Sequence, residues 1–364
     1  MLIENNKNTI YSVQALRGLS ALFIMFYHFR WSLNTVSSNL GEILFWWMSI
    51  SVDLFFIISG FVIAITTKHM ESNICNFKSY CNKRIKRIFP AYYGLLIITF
   101  SLNFFMTGVI DNIPLKDYVS AFFFMPVDSG NPPFYLSDDG IYGIRWTLNY
   151  EIYFYIIIGC FILIKNDWKL IMAYFFVTVS LFPFFMGYDF TFSKKGIDSC
   201  FPYLNLVTNP IIYVFLLGYI LGVHYERVMK IHKIIRVIFL IMSCFVFYWG
   251  VFRLHMIRFD LSSSGWLLGI LFYGIVINEG WIKVLIPPWL LYVGESSLSL
   301  YLIHTLFNHS FRWILDGTFI HNKFISFGLC CALSIFFAML SFRFIEKPFY
   351  YKKKTMATRD NTRV

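Results

Sequence analysis

Long apolar stretches alternate with short polar ones along the whole chain. Runs long enough to cross a bilayer as helices, about 17 to 25 residues each, fall at 12–30, 43–66, 90–110, 143–164, 168–187, 208–224, 234–252, 262–279, 289–308 and 324–344. The pattern predicts an all-α, polytopic transmembrane helix bundle of about ten spans. The fourth and fifth runs are separated only by "KNDWK" (Lys165 to Lys169) and the run 208–224 is short, so the count is good to one span. The stretch 111–142 contains "PVDSGNPPFYLSDDG", whose Pro, Gly, Ser and Asp predict an irregular, exposed, acidic loop. Residues 67–89 read as a basic loop on the other side. No internal repeat, low-complexity tract or soluble appendage interrupts this. Residues 1–349 read as one integral membrane domain and 350–364 as a basic cytoplasmic tail.

Composition agrees with the pattern. Hydrophobic residues make up 58% and charged residues 14% of the chain, and the mean hydropathy of +0.62 excludes an ordinary soluble domain. Aromatic residues reach 21% and gather near the ends of apolar runs, where rings sit at headgroup level. The net charge of +11 raises the possibility of a nucleic-acid partner, but its distribution favours a membrane explanation. With the N-terminus cytoplasmic, 21 of the 31 basic residues fall in inside segments and nine outside, Arg17 being the remaining one. That bias predicts both termini in the cytoplasm and no nucleic-acid partner. The first run carries Arg17 and no small-residue cleavage pattern follows it, so it is expected to remain in the membrane. The seven cysteines form no C-x-x-C pair and have no spaced His partners, so neither a disulfide nor a metal site is expected.

Ionisable groups inside apolar runs are costly and mark candidate chemistry. In "LRGLSALFIMFYH" (Leu16 to His28), Arg17 and His28 are eleven residues apart, about 16 Å along a helix and near three full turns, so they share a face at different depths. The plainer reading is that Arg17 snorkels to the interface and His28 is an interfacial helix residue. Arg84 and Arg87, in "CNKRIKRIFPAYYG" (Cys81 to Gly94), are neighbours on one face if that segment is helical. Paired guanidiniums bind phosphate oxygens, although ordinary positive-inside charge or anionic-lipid contact explains them as well. In "GIRWTLNYEIYFY" (Gly143 to Tyr155), Glu151 lies two turns below the outer end of its span, at a depth like that of His28. A Glu151–His28 pair is geometrically available; a structural ion pair with Arg145 or His304 is the alternative. Asp53 and Ser59, and Tyr301 and His304, are further polar groups within apolar runs. Ser59 and Gly60 fit a close-packed helix interface, and His304 fits either a second acid/base or a satisfied core histidine.

Taken together these stretches resemble the acyltransferase-3 family of integral membrane O-acyltransferases, over nearly the whole chain and in order. The R/K-x10-H signature matches Arg17 to His28, and R-x-x-R matches Arg84 and Arg87, followed by Ile88, Pro90, Tyr92 and Tyr93. V-D-L-F-F-x-x-S-G-F matches Val52 to Phe61. W-S-L-x-x-E appears as Trp146 to Glu151 with Thr147 in place of Ser. S-x-S-L-Y-L-x-H matches Ser297 to His304, and the closing E-K/R-P-F matches Glu346 to Phe349.

The resemblance implies transfer of an acyl group, usually acetyl, from cytoplasmic acyl-CoA to a sugar hydroxyl of a surface polysaccharide or its lipid-linked precursor, such as O-antigen. The setting it implies is a bacterial inner membrane, with acetyl-CoA as donor substrate, no permanently bound cofactor, and acyl-CoA, a glycan and membrane lipids as partners. Some members carry a C-terminal esterase-like domain; here the chain stops about twenty residues after the last run, so a standalone form is expected. Carried over residue by residue, the implied roles are His28 as general base, Glu151 as its orienting carboxylate, and Arg17, Arg84 and Arg87 as the acyl-CoA site. Asp53, Ser59, Trp146, Tyr301 and His304 complete the set. A transporter or flippase of a lipid-linked saccharide is the alternative that intramembrane charges equally allow, and a non-catalytic scaffold is a third.

Overall fold

The computed structural model describes residues 9–34, 39–107, 114–137, 143–307 and 323–351. Among these every regular element is helical. The principal helices are α1 (Tyr11–Phe29), α2 (Ser51–Thr67), α3 (Ile74–Thr107), α4 (Trp146–Ile164), α5 (Trp168–Phe176), α6 (Ile212–Val228), α7 (Lys233–Tyr248), α8 (Trp266–Val276), α9 (Pro288–Glu295), α10 (Ser297–Leu306) and α11 (Lys323–Ser341).

Each of the ten apolar runs carries helix, but seven described helices are both long and apolar enough to cross a membrane, and eight if the bent pair Leu261–Val276 and Glu279–Leu285, which turns through 89°, is one span. The shortfall from ten has a physical source. α1 is long enough, but Gln14, Arg17 and His28 dilute its apolar character, and it can carry them because most of its residues are buried inside the bundle. The run 289–308 is interrupted at Ser296, leaving α9 and α10 as two short helices. Peripheral α7 shows the opposite pattern. Ile234, Ile238, Ile241, Met242, Phe245 and Trp249 form an uncovered apolar stripe, a surface that only a lipid environment satisfies. The chain is a multi-pass membrane protein.

Two loop expectations are corrected. Residues 74–89 are not loop but the first four turns of α3, which continues through Pro90. Their inward face, with Tyr80 and Ile88 buried, is helical in period, while the lysines and arginines on the other positions hide it from a hydropathy average. Within 111–142, Leu115–Phe123 is a helix turned inside out: Asp117, Ser120 and Ala121 are buried while Leu115, Val119, Phe122 and Phe123 are exposed. Its buried polar groups are satisfied internally, Ser137 Oγ donating to Asp117 at 2.8 Å and Arg145 Nη2 to Ser120 Oγ at 2.6 Å. Residues 138–142 lie outside the described residues.

The turns alternate between two poles. At one, Lys68 pairs with Glu226 at 2.8 Å, Asn166 donates to the carbonyls of Thr67 and Met70 at 2.7 and 2.8 Å, and the backbone N–H groups of Tyr11 and Ser12 donate to Glu279 at 2.8 and 2.9 Å. At the other, Arg30 pairs with Glu42 at 2.8 Å and Asn209 donates to Tyr135 Oη and the Lys194 carbonyl, both at 2.8 Å.

Small residues set the closest crossings. A Cβ on Gly218 would lie 2.0 Å from the Ile57 carbonyl oxygen, and one on Gly60 2.1 Å from that of Phe215, so α2 and α6 meet backbone to backbone. A Cβ on Gly294 would lie 2.1 Å from the Gln14 carbonyl oxygen, which fixes α1 against α9.

Candidate active site in the helix bundle

The α1–α9 crossing carries Arg17 to the start of α10, and the α2–α6 crossing leaves Ser59, next to Gly60, facing α4. Between these helices lies a cavity with about 640 Å³ of empty space, lined by Arg17, Ser59, Arg87, Thr147, Glu151, Ser297 and Tyr301 among apolar side chains such as Phe55, Phe56, Leu148 and Phe154. Ser59 Oγ donates to Glu151 Oε1 at 3.4 Å, and the Tyr155 hydroxyl donates to the same oxygen. The Tyr301 hydroxyl donates to the Ile144 carbonyl at 3.1 Å and lies 2.9 Å from Thr147 Oγ1, which ties α10 to the first turn of α4. Two guanidiniums and a carboxylate thus share one apolar chamber, where charges interact far more strongly than in water.

Five of the ten candidate positions lie at this chamber. Arg17, Arg87, Glu151, Ser59 and Tyr301 line it. Arg84 does not; its guanidinium stands 5.3 Å from the Tyr80 ring and 5.1 Å from the Tyr155 ring and donates to Thr66 Oγ1 at 3.1 Å. It therefore reaches Glu151 through Tyr155, and the arginine pair is divided between the chamber and its neighbourhood beside Thr66. His28 and His304 do not line the chamber; they lie further along α1 and α10, toward the pole of Arg30. Their ring centroids are 5.0 Å apart, and His304 stands 5.9 Å from Tyr301. His304 is fully buried, with Nδ1 3.2 Å from the Leu300 carbonyl oxygen and no partner for Nε2 among the described residues.

Two candidates sit apart. Trp146 packs in an aromatic cluster with Phe56, Phe134 and Tyr150. Asp53 is fully buried at the other pole and accepts from Ser264 Oγ at 2.5 Å. Ser59, which also fits a packing role by sequence, leaves that role to Gly60 and turns to Glu151 instead. One residue that site reasoning passed over belongs here. Glu346 is buried, accepts from Ser299 Oγ, and lies within electrostatic reach of Arg87 and Arg17. Its signal was the closing motif Glu346 to Phe349. No group of three or more His, Cys, Asp or Glu with metal-binding geometry occurs among the described residues.

A family model described as an acyltransferase domain, Acyl_transf_3, matches residues 10–343, nearly the whole chain and every residue that lines the chamber. The chain belongs to the acyltransferase-3 family. Among relatives of this acyltransferase-3 chain, a Staphylococcus aureus (strain COL) protein named "Putative O-acetyltransferase" is 26% identical over 371 residues, covering 93% of this chain and 56% of the relative. The exopolysaccharide production protein ExoZ of Rhizobium meliloti (strain 1021) is 25% identical over 265 residues, covering 70% of this chain and 74% of ExoZ. Nodulation protein 10 of Rhizobium leguminosarum bv. viciae is 26% identical over half of each chain. The chain spans a little over half the length of the Staphylococcus relative. No solved structure matches it.

Proposed function

We propose that this acyltransferase moves an acyl group, acetyl in the first instance, from acyl-CoA to a sugar hydroxyl of a surface polysaccharide or its lipid-linked precursor, such as O-antigen, in a bacterial inner membrane. The observation that carries this reading is the chamber, where Arg17, Arg87 and Glu151 meet inside an otherwise apolar bundle. The names of the Staphylococcus and ExoZ relatives support an O-linked acetyl group and a polysaccharide acceptor respectively.

In this reading both termini and the pole bearing Lys68 and Asn166 face the cytoplasm, in line with the excess of basic residues there. Acyl-CoA approaches from that pole, its phosphates held by Arg84 and Arg87 and its arm meeting Arg17. The sugar hydroxyl approaches from the other pole. His28 takes its proton as the oxygen attacks the thioester carbonyl. The carbon–sulfur bond then breaks, and the leaving thiolate recovers a proton from the imidazolium. Glu151 stabilises the cationic imidazole and the geometry of approach, and Ser59 and Tyr155 hold Glu151 in turn. The test is chemical. Purified protein in nanodiscs, given radiolabelled acetyl-CoA and the producing strain's polysaccharide, should place label on the glycan in a base-labile ester. Binding or movement of the glycan without acetyl-CoA consumption would instead establish a transporter.

A further inference from the structure

A second cavity opens at the pole of Lys68, separate from the chamber. It holds about 760 Å³ of empty space and is lined by Lys68, Lys165, Asn166, Trp168 and Tyr219, together with the carboxylates of Glu71 and Asp167. The site is built rather than incidental. Asn166 Nδ2 locks it by donating to the carbonyls of Thr67 and Met70, its backbone N–H donates to Ser72 Oγ at 2.7 Å, and the Trp168 ring is braced edge to face by His224 at 5.5 Å.

We propose that this cavity takes the adenosine end of acyl-CoA, and this rests on the donor assigned above. The first reason is continuity. Ser59 of the chamber, Thr66 bonded to Arg84, and Lys68 of the cavity follow one another on α2, seven and nine residues on from Ser59, about 10 and 14 Å along the axis. A donor with its thioester near Glu151 and its pyrophosphate on Arg84 is delivered by its own length to this cavity. The second reason is chemical. Lys68 is already paired with Glu226 at 2.8 Å and Asp167 Oδ1 already accepts from the Lys169 backbone N–H at 2.9 Å, so the lining offers exposed Lys165 as its cation beside Glu71 and the Trp168 ring, a set that suits a nucleoside with one phosphate better than a polyphosphate. Glu71 accepts from an exocyclic amine or a ribose hydroxyl, Lys165 meets the 3′-phosphate, and Trp168 offers a face for stacking the base.

The experiment compares two donors on the whole protein in nanodiscs: acetyl-CoA, and acetyl-pantetheine, which lacks the nucleotide. Trp168→Ala should raise the KM for acetyl-CoA about tenfold, the scale of one lost base stack, and leave acetyl-pantetheine turnover unchanged. Lys165→Gln, at an exposed position, should do the same more weakly and guards against a folding defect in the tryptophan variant. Calorimetry with 3′,5′-ADP reads the site without any turnover: the parent should bind it and Trp168→Ala should lose about tenfold. Equal 3′,5′-ADP binding by parent and variants, or none by the parent, would overturn the assignment even where acyl transfer proceeds. A parent that binds 3′,5′-ADP with this dependence but transfers no acetyl group would uphold the nucleotide site and remove the transfer reading alone.

Discussion

Replacing Glu151 with Gln keeps the side chain's shape and removes its charge, which makes it the sharpest probe of the chamber. Tyr155 and Ser59 both donate to Glu151 Oε1, and the amide oxygen of Gln accepts from them equally well in geometry. What changes is the strength of those bonds, from charge-assisted to neutral, a loss of about 1 kcal/mol each, and the new NH2 group turns a donor toward a chamber that already holds Arg17 and Arg87. Stability should fall by about 1 to 3 kcal/mol, leaving a folded protein. The effect on turnover should be much larger. In the role proposed for Glu151, a carboxylate that compensates the imidazolium's charge in the transition state contributes about 100-fold or more to kcat. The assay is labelled acetyl transfer in nanodiscs beside a thermal unfolding curve on the same preparation. A loss of about 100-fold in kcat with the acetyl-CoA KM within about threefold of the parent is expected. A folded variant with turnover within about threefold of the parent would refute the role given to Glu151.

Three further outcomes follow from the same geometry. His28→Ala should abolish transfer by about 100-fold or more while the protein still inserts and folds; parental activity would remove His28 from the mechanism. Arg84→Gln with Arg87→Gln should weaken acetyl-CoA binding far more than acceptor binding, with the double Lys variant intermediate because point charges survive and bidentate geometry does not; unchanged acetyl-CoA affinity would return both arginines to ordinary positive-inside charge. Gly218→Ala should destabilise by about 1 to 3 kcal/mol or more, since its Cβ would stand 2.0 Å from a backbone oxygen that cannot rotate away; an unfolding midpoint equal to the parent's would show that the α2–α6 crossing is looser than described.

The apolar pattern located the helices because lipid and core both select hydrophobic runs. It misjudged them where a helix faces protein instead of lipid. α1 keeps Gln14, Arg17 and His28 because the bundle surrounds it, and Ile74–Phe89 is helical although its polar face suggested a loop. The chamber was legible to the extent that ionisable residues in apolar runs have few places to go, which applies to Arg17 and Glu151; Arg87, read as part of a basic loop, reaches the same chamber because that segment is helical. Partners across helices were not legible. Nothing local in "IISGF" says that Ser59 faces Glu151 while Gly60 packs on α6, and nothing near Asp53 in the chain points to its partner Ser264, 211 residues on. Glu346 escaped notice because its arginine neighbours are hundreds of residues away.

The central claim is that one chamber joins a donor from one face of the membrane to an acceptor from the other. Oriented proteoliposomes test it directly, with the two faces assigned by cysteine labelling at Ser129→Cys and, beside the Lys68–Glu226 pair, at exposed Lys230→Cys. Labelled acetyl-CoA supplied on the Lys68 face and polysaccharide supplied on the Ser129 face should yield acetylated glycan, and reversing the two substrates should yield none. Full-rate transfer with both substrates confined to the Lys68 face would contradict the account.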